Sequence, residues 1–247
     1  MNESLYKIYK SLKINYKESQ KSSFDSTFPH KIYRYISFPV SSVLIYLKFT
    51  PNLVTAIGFI LLLISFLLLL TENINLINLG FVFYFSYVIL DFCDGNLARY
   101  LDKTSIFGKC IDGFVDFLSY LIFIPAYFAY CYLFQKDPEE FLFLTFFTSI
   151  AALVYLYVKF RISIFEKEAF ENISEKLLES KKDNFSLVRF FSLISENILT
   201  GLPLIVIFGF YIGVFDLVIL IYLFYFSIIC LIEIILRLKR IKEIHSE

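Results

Sequence analysis

Apolar residues along the chain come in long blocks that contain no Asp, Glu, Lys or Arg. Each block is close to the roughly 20 residues that a helix needs to cross about 30 Å of hydrocarbon. The pattern therefore predicts an all-α integral membrane protein with six transmembrane helices. The six blocks are residues 53–70, 74–90, 117–135, 141–158, 197–215 and 217–232, the last continuing into apolar residues beyond Glu233.

The segments before the first block differ from it and from each other. Residues 1–28 are polar and rich in lysine, which predicts a loosely ordered N-terminus, and they lack the apolar stretch of a cleavable signal peptide. Residues 29–49 mix aromatic, aliphatic and cationic side chains, which is typical of an amphipathic helix lying in the membrane interface. A short seventh transmembrane helix is the alternative for this segment.

Composition supports the membrane class and excludes others. The 247 residues are 58% hydrophobic, and the 23 Lys and Arg residues balance the 23 Asp and Glu residues. Soluble domains are about 45–50% apolar, so this chain does not fit a water-soluble enzyme. Without an excess of positive charge, nucleic-acid binding through a basic surface is excluded as well.

The cations are distributed unequally between the two sides of the predicted membrane. With the N-terminus inside, the inner segments 1–50, 99–109, 159–189 and 237–247 hold 22 of the 23 Lys and Arg residues. Only Lys136 lies in an outer loop, so the positive-inside rule predicts a multi-pass protein of the cell membrane with both termini in the cytoplasm. A seventh transmembrane helix at residues 29–49 would break this asymmetry. The predicted membrane domain spans residues 50–240, with a helical cytoplasmic insertion at about 161–192 and a cytoplasmic tail at 241–247.

Four carboxylates lie where the second and third transmembrane helices meet the inner side. At 100° per residue, Asp91 and Asp94 fall on one helical stripe, and Asp112 and Asp116 fall on another. Only about eight residues separate the two stretches, so the stripes can face each other. Four clustered carboxylates repel one another and need compensating positive charge. Oxygen ligands favour Mg²⁺, Mn²⁺ or Ca²⁺, and Mg²⁺ in particular is often shared with substrate phosphates.

Small and cationic residues accompany the carboxylates. Gly95 and Ala98 lie on the first stripe and allow a bulky ligand to approach the helix backbone. Arg99 offers a guanidinium fork suited to phosphate oxygens. The residues therefore predict a metal site that is open to phosphate.

The order of these residues resembles the signature of the CDP-alcohol phosphotransferase family. The signature is Asp-x2-Asp-Gly-x2-Ala-Arg-x8-Gly-x3-Asp-x3-Asp, and the chain matches all eight fixed positions. These are Asp91, Asp94, Gly95, Ala98, Arg99, Gly108, Asp112 and Asp116.

The resemblance implies an enzyme that transfers a phosphoalcohol group from a CDP-activated alcohol to an acceptor hydroxyl and releases CMP. CDP-diacylglycerol is the implied donor, and phospholipid biosynthesis is the implied setting. The resemblance assigns two Mg²⁺ or Mn²⁺ ions to Asp91, Asp94, Asp112 and Asp116, with Asp116 also acting as the general base. It assigns the CDP pocket to Gly95, Ala98, Arg99, Gly108, Asn52 and Thr55.

Partners beyond the donor are less defined by the sequence. Lys109, Lys159 and Arg161 lie near the inner surface and are candidates for binding an acceptor phosphate, although ordinary positive-inside anchors explain each of them singly. An acceptor alcohol and membrane lipids are expected partners, and a homodimer stays open. The acceptor itself is not identified: serine, glycerol 3-phosphate, inositol, inositol phosphate and a polyol all remain candidates, as does a donor without diacylglycerol.

Two hypotheses from other protein classes compete with the interpretation as an enzyme. A divalent-cation transporter would use the same carboxylates, but transport sites lie near the bilayer midplane on broken helices, whereas these acids lie at an inner helix end. A scaffold without catalysis is disfavoured because every chemical position of the signature is present.

Overall fold

The computed structural model describes residues 4–22, 28–137, 139–171 and 198–245, and all regular structure in these ranges is helical. The predicted all-α class is confirmed. Ten α-helices follow one another: α1 Leu5–Ser22, α2 Phe28–Tyr46, α3 Pro51–Leu69, α4 Ile74–Tyr100, α5 Ile106–Ser119, α6 Phe123–Phe134, α7 Glu139–Glu171, α8 Ile198–Ile212, α9 Phe215–Phe224 and α10 Cys230–His245.

Five stretches of the described chain are long and apolar enough to cross a membrane. They are Pro51–Leu69, Ile74–Tyr100, Cys110–Phe134, Leu142–Ile162 and Phe215–Lys239. The remaining predicted block appears as the shorter apolar helix α8, which begins where the described residues resume. The protein is therefore a multi-pass helical membrane protein, and the prediction of six apolar helices agrees with it.

The third transmembrane stretch is built from two helices. A 3-10 turn at Tyr120–Ile122 joins α5 to α6. At the other end, α4 continues as one helix to Tyr100, so only residues 101–105 separate it from α5. Ser105 caps α5 by accepting a hydrogen bond of 2.9 Å from the amide of Gly108. The connection expected to hold about eight residues is thus a tight five-residue loop.

The N-terminal segment is ordered, and the expectation of a loose N-terminus is wrong for Leu5–Ser22. This stretch is the helix α1, which packs against α2 and buries Ile8 and Leu12. Leu5, Ile8 and Leu12 recur at helical spacing, so the lysines between them occupy the other faces. Helix α2 in turn packs against α4. Helix α2 is not among the described helices that are long and apolar enough to span a membrane.

The turn between α8 and α9 lies at Gly213 and Val214, two residues before the predicted position at Asp216. Gly213 has φ of +81°, a conformation that other residues rarely adopt, and its carbonyl accepts a hydrogen bond of 2.7 Å from the Tyr130 hydroxyl. Asp216 instead lies in the first turn of α9 and forms an ion pair with Lys136. The hydrogen bond to Asp216 raises the pKa of Lys136.

Helix α7 runs without a break from Glu139 to Glu171, so the predicted insertion at 161–192 begins as its continuation. The rest of the insertion lies outside the described residues. Deep in the protein, α7 is tied to α10 through Glu233, which is 1% exposed. The Glu233 carboxylate accepts hydrogen bonds of 2.6 Å from the Tyr155 hydroxyl and 2.9 Å from Arg237 Nε. This polar cluster compensates a charge that would otherwise be expensive to bury.

Candidate active site

Three carboxylates from α4 and α5 meet at one point. Asp91 lies near the end of α4, and Asp112 and Asp116 lie one turn apart on α5. One oxygen atom from each carboxylate lies within 4.8 Å of the other two. The two predicted stripes therefore do face each other, and we call these residues the carboxylate trio.

Asp94 lies beside the trio and is directed toward α3. Its side chain is 6% exposed, and its Oδ2 accepts a hydrogen bond of 2.6 Å from the Thr55 hydroxyl. Thr55 also donates to the carbonyl of Pro51 at 3.2 Å, so its hydroxyl is shared between the backbone of α3 and Asp94. Asp94 is consequently held in a fixed orientation by a neighbouring helix.

One side of the carboxylates opens into a cavity of about 230 Å³, which we call the cationic cleft. Asp94 and Asp112 contribute its acidic edge, and Arg99 and Lys103 contribute positive charge. The cleft lies at the N-termini of α3 and α5, where unpaired backbone amides favour anions. All six residues that the resemblance assigns to CDP line it: Asn52, Thr55, Gly95, Ala98, Arg99 and Gly108.

The two glycines of the cleft allow close approaches that a side chain would obstruct. A Cβ atom on Gly95 would lie 3.2 Å from a terminal nitrogen of Arg99, so the guanidinium packs directly over the helix backbone. A Cβ atom on Gly108 would lie 3.0 Å from Ser105 Oγ and 3.1 Å from Asn52 Oδ1. A side chain at either position would therefore require its neighbours to shift by a few tenths of an ångström.

The other side of the trio borders a second cavity, of about 150 Å³, which we call the hydroxyl cavity. Asp91 and Asp116 face it, whereas Asp94 and Asp112 line the cationic cleft. The other polar side chains among the described lining residues are hydroxyls, and the sequence analysis did not identify them. They belong to Tyr33, Tyr84, Tyr87, Ser119, Tyr120 and Thr200.

Asp116 has a hydrogen-bond partner within this cavity. The Tyr87 hydroxyl donates to Asp116 Oδ1 at 3.1 Å, from one helical turn before Asp91 on α4. Tyr87 therefore orients the carboxylate that faces the hydroxyl cavity. The signal that could have found it is its spacing, because Tyr87 lies on the same stripe as Asp91 and Asp94.

A polar network around Asn96 attaches α2 to the cationic cleft. The buried Asn96 side chain donates to the hydroxyls of Ser37 and Ser41 at 3.0 Å and 2.9 Å. Its carbonyl oxygen accepts from Arg34 at 2.6 Å and from Arg99 at 3.3 Å. Asn96 thus links the N-terminal helices to the arginine of the cleft.

Burial sets the charge states in this network. Burial, aided by the positive charges of Arg34 and Arg99, lowers the pKa of His30 to about 4. The imidazole is therefore neutral near pH 7, and its Nε2 lies 3.2 Å from a terminal nitrogen of Arg34, which donates to it. Burial also lowers the pKa of Arg34 to about 10, so that Arg34 keeps its charge near neutral pH.

Two of the three cations predicted for an acceptor phosphate contact groups outside both cavities. Lys159 Nζ lies 3.8 Å from Glu233 Oε1, and the Arg161 guanidinium lies 5.5 Å from the ring centroid of Phe165. Neither residue lines the hydroxyl cavity or the cationic cleft. The side chain of Lys109 lies outside the described part of the chain.

The donor set fits a hard divalent cation. The trio offers only oxygen ligands, and Asp112 Oδ1 is buried without a hydrogen-bond partner among the described residues. A buried carboxylate oxygen of this kind is stabilised by a cation, and oxygen-only sites favour Mg²⁺ or Mn²⁺ over zinc. The residues present therefore fit the predicted metals.

The fold and this site define a multi-pass membrane protein with an acidic, phosphate-compatible centre between two cavities. The family model for CDP-alcohol phosphatidyltransferase matches residues 48–236, which is most of the chain. The chain belongs to this family, whose members are transferases of phosphate-linked groups. A search of curated proteins gives no significant match. None of the described residues supports the homodimer.

Proposed function

We propose that this protein transfers a phosphoalcohol group from a CDP-linked alcohol, CDP-diacylglycerol in the simplest case, to the hydroxyl of an acceptor alcohol. The observation that supports this proposal is the position of the trio between two unlike cavities. A cationic cleft suits a diphosphate, and the cavity on the other side of the trio leaves room for an acceptor beside Asp116.

The donor would bind with its diphosphate against the cationic cleft. Arg99 and Lys103 attract the phosphates, and the N-termini of α3 and α5 add partial positive charge. Asp91, Asp94 and Asp112 would hold the metals, and Asp116 would share the second ion. When bound, Mg²⁺ or Mn²⁺ neutralises the diphosphate and stabilises CMP as the leaving group.

Asp116 would accept the proton of the acceptor hydroxyl. The acceptor oxygen forms a bond to the phosphorus that carries the donor alcohol, while the bond from that phosphorus to the bridging oxygen of CMP breaks. The products are a phosphodiester and CMP, and the proton leaves with Asp116. Tyr87 keeps the carboxylate pointed at the acceptor, so the protein contributes mainly positioning and a base.

The resemblance and the inner-side cations also support a cellular setting. We propose that the site faces the cytoplasm of a cell membrane and that the reaction serves phospholipid biosynthesis. The distribution of 22 of 23 cations supports this orientation.

The direct test is release of CMP from CDP-diacylglycerol by the purified protein with Mg²⁺ or Mn²⁺ and a panel of acceptor alcohols. We expect wild type to release CMP with at least one acceptor. Asp116→Asn should lower the rate by at least about a hundredfold, because the variant loses its general base.

Asp102→Asn is the matched control, since it makes the same change on the exposed loop between α4 and α5. It should keep the wild-type rate. Equal CMP release by wild type and Asp116→Asn across the whole panel would overturn the proposed function.

A further inference from the structure

The hydroxyl cavity and the cationic cleft differ sharply in charge. Among the described residues, the only charged groups that line the hydroxyl cavity are the carboxylates of Asp91 and Asp116. The described cationic side chains near this end of α4 make contacts outside the hydroxyl cavity: Arg34 donates to Asn96, while Arg99 and Lys103 line the cationic cleft. The two cavities therefore suit ligands of different charge.

A phosphomonoester does not fit this lining. It carries a charge of about −1.5 to −2 near pH 7 and is normally bound by arginine or lysine. In the hydroxyl cavity it would add negative charge beside two carboxylates, and none of the described lining residues offers a cationic side chain to receive it. The cavity instead offers phenol and alcohol hydroxyls, which both donate and accept hydrogen bonds and match the groups of a neutral alcohol.

Tyr33 gives independent evidence that a polar ligand belongs here. The residue is 1% exposed and lines the cavity, and its hydroxyl makes no hydrogen bond with another described residue. The hydroxyl lies near the backbone of Leu204 without forming a bond of good geometry. A buried hydroxyl without a partner is destabilising unless a ligand or water satisfies it. Burial raises the pKa of Tyr33, so the phenol stays protonated and can donate.

The cavity has room for a small polar molecule. Its volume of about 150 Å³ is about tenfold larger than the roughly 10–15 Å³ that a single water molecule needs. A compound with a few carbons and hydroxyls fits this space. The lipid part of the reaction would then come from the donor.

We propose that the acceptor is a small alcohol without a phosphate group, bound in the hydroxyl cavity with Tyr33 as a residue that determines specificity. This inference rests on the proposed transfer reaction, because it names the class of its second substrate. The reacting hydroxyl lies beside Asp116, and the other polar groups of the acceptor meet Tyr33 and the neighbouring hydroxyls.

The test compares matched acceptors with and without phosphate, namely glycerol with glycerol 3-phosphate and inositol with inositol phosphate, together with serine. The full-length protein with Mg²⁺ is assayed for CMP release from CDP-diacylglycerol. Acceptor binding is measured separately as an increase in melting temperature in the absence of donor. With a phosphate-free acceptor, we expect the protein to release CMP from the donor and to melt at a higher temperature. The phosphorylated counterpart at the same concentration should produce neither effect.

Tyr33→Phe then tests the cavity itself. We expect about a tenfold higher KM for the acceptor and an unchanged KM for CDP-diacylglycerol, because only the acceptor meets this hydroxyl. Tyr35→Phe is the control, since Tyr35 is 52% exposed on the same helix and lines neither cavity. An unchanged acceptor KM in Tyr33→Phe would overturn the role of Tyr33.

The outcomes separate this inference from the function on which it rests. CMP release only with phosphorylated acceptors would overturn the inference and leave the transfer reaction intact. No CMP release with any acceptor would overturn both.

Discussion

Asp94 depends on a hydroxyl from another helix for its orientation. Thr55 donates to it at 2.6 Å from α3, and both residues border the cationic cleft. A group that orients a metal ligand in this way typically affects metal affinity by about 10- to 100-fold. Thr55 is therefore predicted to matter for the metals even though it offers no charge.

Thr55→Val keeps the shape of the side chain and removes the hydroxyl. We expect the Mg²⁺ or Mn²⁺ concentration needed for half-maximal CMP release to rise by about 10- to 100-fold. The same shift should appear in the metal concentration that stabilises the chelator-treated protein against heating. Thr55→Ser, which keeps the hydroxyl, should resemble wild type. Identical metal dependence in Thr55→Val and wild type would show that metal binding does not depend on the hydrogen bond from Thr55 to Asp94.

At this scale, the sequence revealed the charged groups and Thr55, but not the other side chains that position them. The four aspartates and Arg99 are detectable because charges at the end of an apolar block are costly and appear at fixed helical spacing. Asn96, Tyr33 and Tyr120 carry no such signal, since neutral residues are common in membrane helices. Their roles depend on packing between α2, α4 and α5, which one sequence does not reveal.

At the scale of elements, one buried side chain joins α2 to α4 through three hydrogen bonds. Asn96 is 4% exposed and bonds to Ser37, Ser41 and Arg34 on α2. Asn96→Leu would leave these groups without their partner inside the protein. We expect the free energy of unfolding to fall by about 1–3 kcal/mol, the usual effect of leaving a buried polar group unsatisfied.

The measurement is the unfolding of the detergent-solubilised variant, together with protease cleavage in the segment before α3. Cleavage should be faster in Asn96→Leu because α1 and α2 are held less firmly. Ser86→Ala is the control on α4, since Ser86 is only partly buried and bonds to the carbonyl of Val82 in its own helix. If both variants are as stable and as resistant as wild type, the network does not hold α2 in place.

The helices were predictable to different degrees. The apolar blocks predict transmembrane helices well because crossing hydrocarbon imposes a minimum length. The ends are harder, since the polar continuation of α4 to Tyr100 looks like a loop in a hydropathy pattern. Helix α1 was missed because five lysines lie between Leu5 and Ser22, so the segment looks polar and its short apolar stripe is easily overlooked. The 3-10 turn at Tyr120–Ile122 has no hydropathy signal at all.

At the scale of the whole molecule, the proposed orientation rests on the placement of cations and has a direct test. Single cysteines at positions 137 and 103 are introduced in a background where the four native cysteines are replaced. Both positions are exposed, one before α7 and one between α4 and α5. A membrane-impermeant thiol reagent added from outside should label position 137 and not position 103, because the positive-inside rule places the latter in the cytoplasm. The reverse pattern would invert the predicted topology.

The length of α4 fixes the depth at which the chemistry would occur. Counted from Ile74 at 1.5 Å per residue, Asp91 lies about 25 Å and Asp94 about 30 Å along the helix axis. The hydrocarbon of a bilayer is about 30 Å thick, so with Ile74 at one edge these two carboxylates would lie where acyl chains give way to headgroups. A donor with two acyl chains would then reach the metals by lateral diffusion, its diphosphate already at the right height. The protein would not have to lift a lipid out of its leaflet, and only the small acceptor and CMP would exchange with water.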